Sequence, residues 1–98
     1  MRSLDLLLAH GYFLQQDPVE RRVMKPYPPL GILSISAYLK SRGFSVGVFD
    51  STFRSPSDFA VRVERERPAV VGLYCNLMTK LDVLDMIQTA RRAGAKVV

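Results

Sequence analysis

Asp50-Ser51-Thr52 and Cys75-Asn76-Leu77-Met78-Thr79 each follow an apolar run that reads as a strand, and His10-Gly11 follows another. A carboxylate, hydroxyls, a thiol and an imidazole at strand ends can bond the periphery of a bound ligand. In open α/β sheets ligands lie beyond the carboxyl ends of the strands, where strand order reverses. A further segment, Pro29-Leu30-Gly31, opens an apolar helix after a proline-stiffened approach through Pro26 and Pro28. Pro29 suits a first helical turn, and Gly31 permits close backbone approach. Together these segments suit a large, flat, partly apolar ligand, with helix N–H groups available to a phosphate.

Several other chemistries are excluded. The first strand is followed by His10-Gly11-Tyr12-Phe13-Leu14-Gln15, which is no GxGxxG dinucleotide loop. The chain has no GxxxxGK[ST] phosphate loop and no GxSxG elbow, and one His and one Cys leave no nucleophilic triad. Leu8-Ala9-His10 supplies none of the acidic residues a phosphoacceptor domain needs there. A lone cysteine rules out an internal disulfide or a cysteine-built metal or iron–sulfur site, and fits a reducing cytoplasm. The net charge of +5 is dispersed, with Glu64 and Glu66 interleaving Arg62, Arg65 and Arg67, so no phosphate track forms and no nucleic-acid partner is expected. No apolar run reaches the roughly 20 residues of a membrane span, and no signal peptide is seen.

The elements that must position these residues follow from periodicity and caps. Ser3–Ala9 reads as a strand containing Asp5, which calls for a partner beyond this sequence or an outward face at a sheet edge. His10 to Pro28 is a long connection, far beyond the roughly 2–6 residues usual after a strand in such units. Leu30–Arg42 is a helix apolar on nearly every side, expected to be buried, with Gly43 stopping it. Phe44–Phe49 is a second strand. Ser55 caps the next helix, with Pro56 and Asp58 in its first turn, Phe59 and Val63 on one face and Pro68 ending it. Ala69–Tyr74 is apolar throughout, as in a sheet covered on both sides. Thr79 and Asp82 form a variant capping box for a third helix, with Leu84, Ile87 and Ala90 inward. Gly94 closes it, and Ala95–Val98 opens a fourth strand. This β-α-β-α-β-α-β alternation predicts one domain over residues 1–98, a doubly wound, mostly parallel sheet truncated after the start of strand four.

PYPPLGILSISAYLK, RGFSVGVFDSTF and PAVVGLYCNLMT together resemble the N-terminal cobalamin-binding domain of cobalamin-dependent radical S-adenosylmethionine enzymes. The resemblance covers the whole chain and implies a Rossmann-like (flavodoxin-like) sheet whose strand ends carry a corrin ring. Many cobalamin domains ligate cobalt through the histidine of a DxHxxG motif. Here Leu8 and Phe13 stand where that motif's aspartate and glycine would be if His10 were its histidine, so cobalt is expected to lack a protein histidine. Cys75-x-Leu77 stands in place of the S-x-L turn of such domains.

The resemblance further implies roles. Pro29, Leu30 and Gly31 would support the lower face or nucleotide tail. Asp50 and Thr52 would bond peripheral amides, Cys75, Asn76, Leu77, Met78 and Thr79 would line the ring, and Tyr12 would shield it. The residues alone leave Asp50 equally suited to capping the Ser51-Thr52 turn, Cys75 to an inert thiol and Tyr12 to loop packing. S-adenosylmethionine and the iron–sulfur cluster would belong to a downstream catalytic domain, making the full protein a methyltransferase or cyclase. This piece alone would bind rather than catalyse. A flavodoxin-like module for a flavin or nucleotide, or a protein-interaction domain, are the other readings these residues allow.

Overall fold

A computed structural model describes residues 4–11, 30–75 and 79–98. Four strands, β1 (Leu6–His10), β2 (Val46–Phe49), β3 (Val70–Tyr74) and β4 (Lys96–Val97), form one parallel sheet in the order β2-β1-β3-β4. Helices α1 (Leu30–Ser41), α2 (Pro56–Glu66) and α3 (Lys80–Arg92) connect them. The alternation expected from the sequence is therefore present, as a doubly wound α/β sheet. Its order reverses between β1 and β3: the chain steps one way to β2 and the other way to β4.

Strand alternation divides the core. Leu7 and Ala9 of β1 turn to the face covered by α2 and α3, where they meet Phe49, Phe59, Val63, Val71, Met86 and Ala90. The Phe49 and Phe59 rings pack edge to face, with centroids 5.4 Å apart. Leu8 turns to the other face with Val46 and Ile32 of α1, flanked by Leu6, Leu39 and Val48.

Helix α2 begins as its residues dictate. Ser55 accepts from the Asp58 N–H at 3.2 Å, while the Asp58 carboxylate accepts from the Ser55 N–H at 2.9 Å. That reciprocal box holds the Asp58 carboxyl below its ordinary range, chiefly through the Ser55 backbone. At the far end Arg67 enters the left-handed region, with φ of 45°, and its N–H bonds the Val63 carbonyl. The helix stops there, one residue before Pro68.

Four expectations need correction. Helix α1 is not buried on most sides: Ile32 and Ser36 point inward, while Leu33, Ile35 and Tyr38 are exposed. With order β2-β1-β3-β4 it covers β2 and β1 only. Among the described residues no helix covers the α1 side of β3, and Tyr74 stands 61% exposed. Helix α3 buries Val83, Met86 and Ala90, leaving Leu84 half exposed and Ile87 only partly buried. Thr79 occupies the N-cap of α3 but makes no side-chain cap bond, so the Thr79–Asp82 box does not form.

Asp5 precedes β1 rather than interrupting it, and its partner lies within the chain. Its carboxylate accepts from the Ser45 N–H at 2.8 Å, and its own N–H donates to Ser45 Oγ at 2.9 Å. This reciprocal pair sets the register in which β1 and β2 begin. Arg62 guards the outer edge of β2, donating to the Val48 carbonyl at 3.3 Å while paired with Glu66. Gly47 makes room for it, since a Cβ there would lie 2.8 Å from Arg62 Nη2.

Candidate functional site at the strand ends

Parallel pairing fixes which polar residues meet at the carboxyl edge. Ala9 is opposite Phe49, so the next residues, His10 and Asp50, emerge side by side. His10 Nε2 lies 2.9 Å from Asp50 Oδ1 and 3.2 Å from the Ser51 nitrogen. A single ring nitrogen serves these neighbours in alternation: protonated it donates to Asp50, and unprotonated it accepts from the Ser51 N–H. Ser51 Oγ donates to the His10 carbonyl at 2.6 Å. Thr52 donates to Asp50 Oδ1 twice, from its hydroxyl at 2.7 Å and its N–H at 3.1 Å.

The cluster is half wet. His10, Ser51 and Thr52 are buried, whereas the Asp50 side chain is 48% exposed. Burial pushes the Asp50 carboxyl up, but the Thr52 hydroxyl, His10 and the Thr52 N–H outweigh it and leave the group below its ordinary value. All these bonds converge on Oδ1, so the second oxygen remains as an acceptor at the rim. Asp50 thus caps the turn, as one reading of the sequence had it, and also holds His10.

At the reversal point between β1 and β3, the ends His10-Gly11 and Tyr74-Cys75 face each other. Gly11 is pressed against the start of α3: a Cβ there would lie 2.5 Å from Val83 Cγ2 and 3.1 Å from the Thr79 carbonyl oxygen. Thr79 is buried in that contact, and Cys75 is exposed beside it. The first turn of α1 reaches the same edge because the helix runs back antiparallel to β1, and Gly31 there is exposed with open space around it. From the end of β2 to the end of β3 the rim spans about 10 Å, two strand spacings.

The structure therefore brings Gly31, Asp50, Thr52, Cys75 and Thr79 to one edge and starts α1 at Leu30. It turns Thr52 and Thr79 inward and leaves Gly31, Asp50 and Cys75 outward. Tyr12, Pro29, Asn76, Leu77 and Met78 lie outside the described residues. Sequence reasoning did not pair His10 with Asp50; the signal was that both end adjacent strands with polar side chains. Gly11 was equally missed, though a glycine ending a strand before a ligand edge is a recognisable mark of close approach.

Two concavities flank this edge. One of about 360 Å³ runs beside β2, lined by Asp50, Arg54, Asp58, Arg62 and Arg65. The other, of about 780 Å³, lies between α3 and β4 and touches Cys75 at one end. Among the described residues no group of three His, Cys, Asp or Glu side chains is placed to hold a metal ion. No helix among them is long and apolar enough to cross a membrane. Compared with protein families, curated proteins and solved structures, the chain matches none.

Proposed function

We propose that this chain is a corrinoid-binding module, the cobalamin-carrying part of a radical S-adenosylmethionine enzyme acting in the cytoplasm. The observation that carries the reading is the strand-order reversal between β1 and β3, which sets Gly31, Asp50 and Cys75 around one carboxyl edge. His10 Nε2 is taken by Asp50 or by the Ser51 N–H, so that nitrogen is not offered to cobalt. Asp50 fits the role of accepting from a peripheral amide through its second oxygen. Thr52 supports Asp50 rather than reaching a ligand, since its hydroxyl proton is spent on Oδ1.

When bound, cobalamin supplies a methyl carrier or redox centre; S-adenosylmethionine and an iron–sulfur cluster would come with a downstream catalytic domain. The residues here orient and shield. Gly11 draws the β1 end against α3 and keeps the rim low, and Gly31 leaves the α1 N-terminus open to approach. Thr52 and His10 keep Asp50 ionised.

The test is a titration of the purified chain with hydroxocobalamin, FMN and ATP, read by visible spectrum and melting temperature. A spectral change with a raised melting temperature for hydroxocobalamin alone is expected. A response to FMN or ATP only would replace this reading with a flavin- or nucleotide-binding one. Silence toward all three would refute binding at this edge and favour a protein-interaction domain.

A further inference from the structure

We propose that Asp50 makes the strand-end site selective for a ligand edge carrying neutral N–H donors: it takes a corrinoid with an amide there and rejects the same corrinoid with a carboxylate. This inference rests on the corrinoid reading and adds a specificity to it. The corner is built wholly from the end of β1, the end of β2 and the turn after β2. Among the described residues every bond to Asp50 falls on Oδ1, from the Thr52 hydroxyl at 2.7 Å, the Thr52 N–H at 3.1 Å and His10 Nε2 at 2.9 Å. A carboxylate is planar, so anchoring one oxygen to the buried Thr52 and His10 fixes where the other points. The side chain is nonetheless 48% exposed, which puts Oδ2 on the open side.

The chemistry of that oxygen follows from its neighbours. Burial raises the Asp50 carboxyl, but the Thr52 and His10 bonds outweigh it, so near neutral pH the group carries charge and no proton. Oδ2 therefore accepts and cannot donate. An amide N–H offered to it makes a charge-assisted hydrogen bond. A carboxylate of the same shape brings no hydrogen and a second negative charge, so the bond is lost and like charges meet. The cations in the groove beside β2 have acidic neighbours of their own. Arg62 pairs with Glu66 and the Val48 carbonyl, Arg65 stands 3.7 Å from Glu66, and Arg54 shares the groove with the Asp58 carboxylate. His10 Nε2 meets only the inner oxygen of Asp50.

The experiment measures, by calorimetry on the full chain at pH 7, the affinity for hydroxocobalamin and for its single-acid forms, each with one peripheral amide hydrolysed to a carboxylate. At least one acid form is expected to bind about tenfold or more weakly than hydroxocobalamin, the loss of a hydrogen bond to a charged group. Asp50→Asn, checked for fold by circular dichroism, keeps an oxygen toward Thr52 and turns an NH₂ donor outward. It should close or reverse that gap and leave the ranking of the other acid forms unchanged. If the variant is unfolded, pH decides on the parent chain. The penalty should shrink as the ligand's own carboxyl gains a proton, at about pH 4–5, while Asp50 stays ionised. Equal affinities for every form, or a gap that survives Asp50→Asn, would overturn the proposal. So would an acid form that binds tighter than hydroxocobalamin, which would give Arg54 the leading part. Hydroxocobalamin bound without discrimination refutes this inference alone, whereas no binding of hydroxocobalamin refutes the corrinoid reading and this with it.

Discussion

Replacing Gly11 with alanine tests the packing of the β1 end against the start of α3. The added methyl would lie 2.5 Å from Val83 Cγ2, 3.1 Å from the Thr79 carbonyl oxygen and 3.2 Å from Thr79 Cβ. Two of these neighbours belong to the start of α3, so relief requires the helix end to move. Overpacking of this kind costs about 1–3 kcal/mol. Gly11 lies outside the left-handed region, so alanine suffers no backbone strain and gains about 0.4–1 kcal/mol by stiffening the unfolded chain. The midpoints of these ranges leave a net loss of about 1.3 kcal/mol, or a melting temperature lower by about 5–10 °C in a domain of this size.

Calorimetry or thermal circular dichroism reads the shift, and a double-mutant cycle assigns its cause. Val83→Ala alone should cost about 2 kcal/mol, because Val83 is buried and leaves a cavity. Combined with Gly11→Ala, it removes the closest clash, so the double variant should lie at least about 1 kcal/mol above the additive sum. Strict additivity, or a Gly11→Ala melting temperature within about 2 °C of the parent, would refute the contact as described.

Asp50→Asn should lose stability in a pH-dependent way. The folded carboxyl titrates below its ordinary 3.8, so its contribution is present above that value and disappears as pH falls through the folded pKa. Urea denaturation at pH 7 should therefore separate parent and variant, and the gap should close below about pH 4; a constant gap would contradict the assignment. Ser55→Ala removes the reciprocal box of α2 and should cost about 1 kcal/mol, measured as a lower urea midpoint at unchanged slope.

The start of α2 could be read in detail because a cap is a local event: Ser55, Pro56 and Asp58 lie within four positions. The phase of α3 could not. Apolar residues at 81, 83, 84, 86, 87 and 90 offer two overlapping stripes. The sheet selects the one through Val83, Met86 and Ala90, because these meet Leu7, Ala9 and Val71. Helix α1 misled for a related reason. Uniform apolarity says nothing about how many sides a neighbour will cover, and strand order leaves α1 only β1 and β2. The Asp5–Ser45 and His10–Asp50 pairs each join residues 40 positions apart, and only the register of β1 against β2 discloses them. Of the rim, the strand-end positions were legible, but which side chains turn inward was not.

The two lips of the sheet are unequal. On one side a guanidinium is held against the Val48 carbonyl of β2; on the other, β4 joins β3 by two residue pairs among the described residues. Edge-to-edge growth needs adhesive margins on both flanks, as a chain of dominoes does. With the β2 margin occupied, a foreign strand cannot zip onto it without first displacing the Arg62–Glu66 pair.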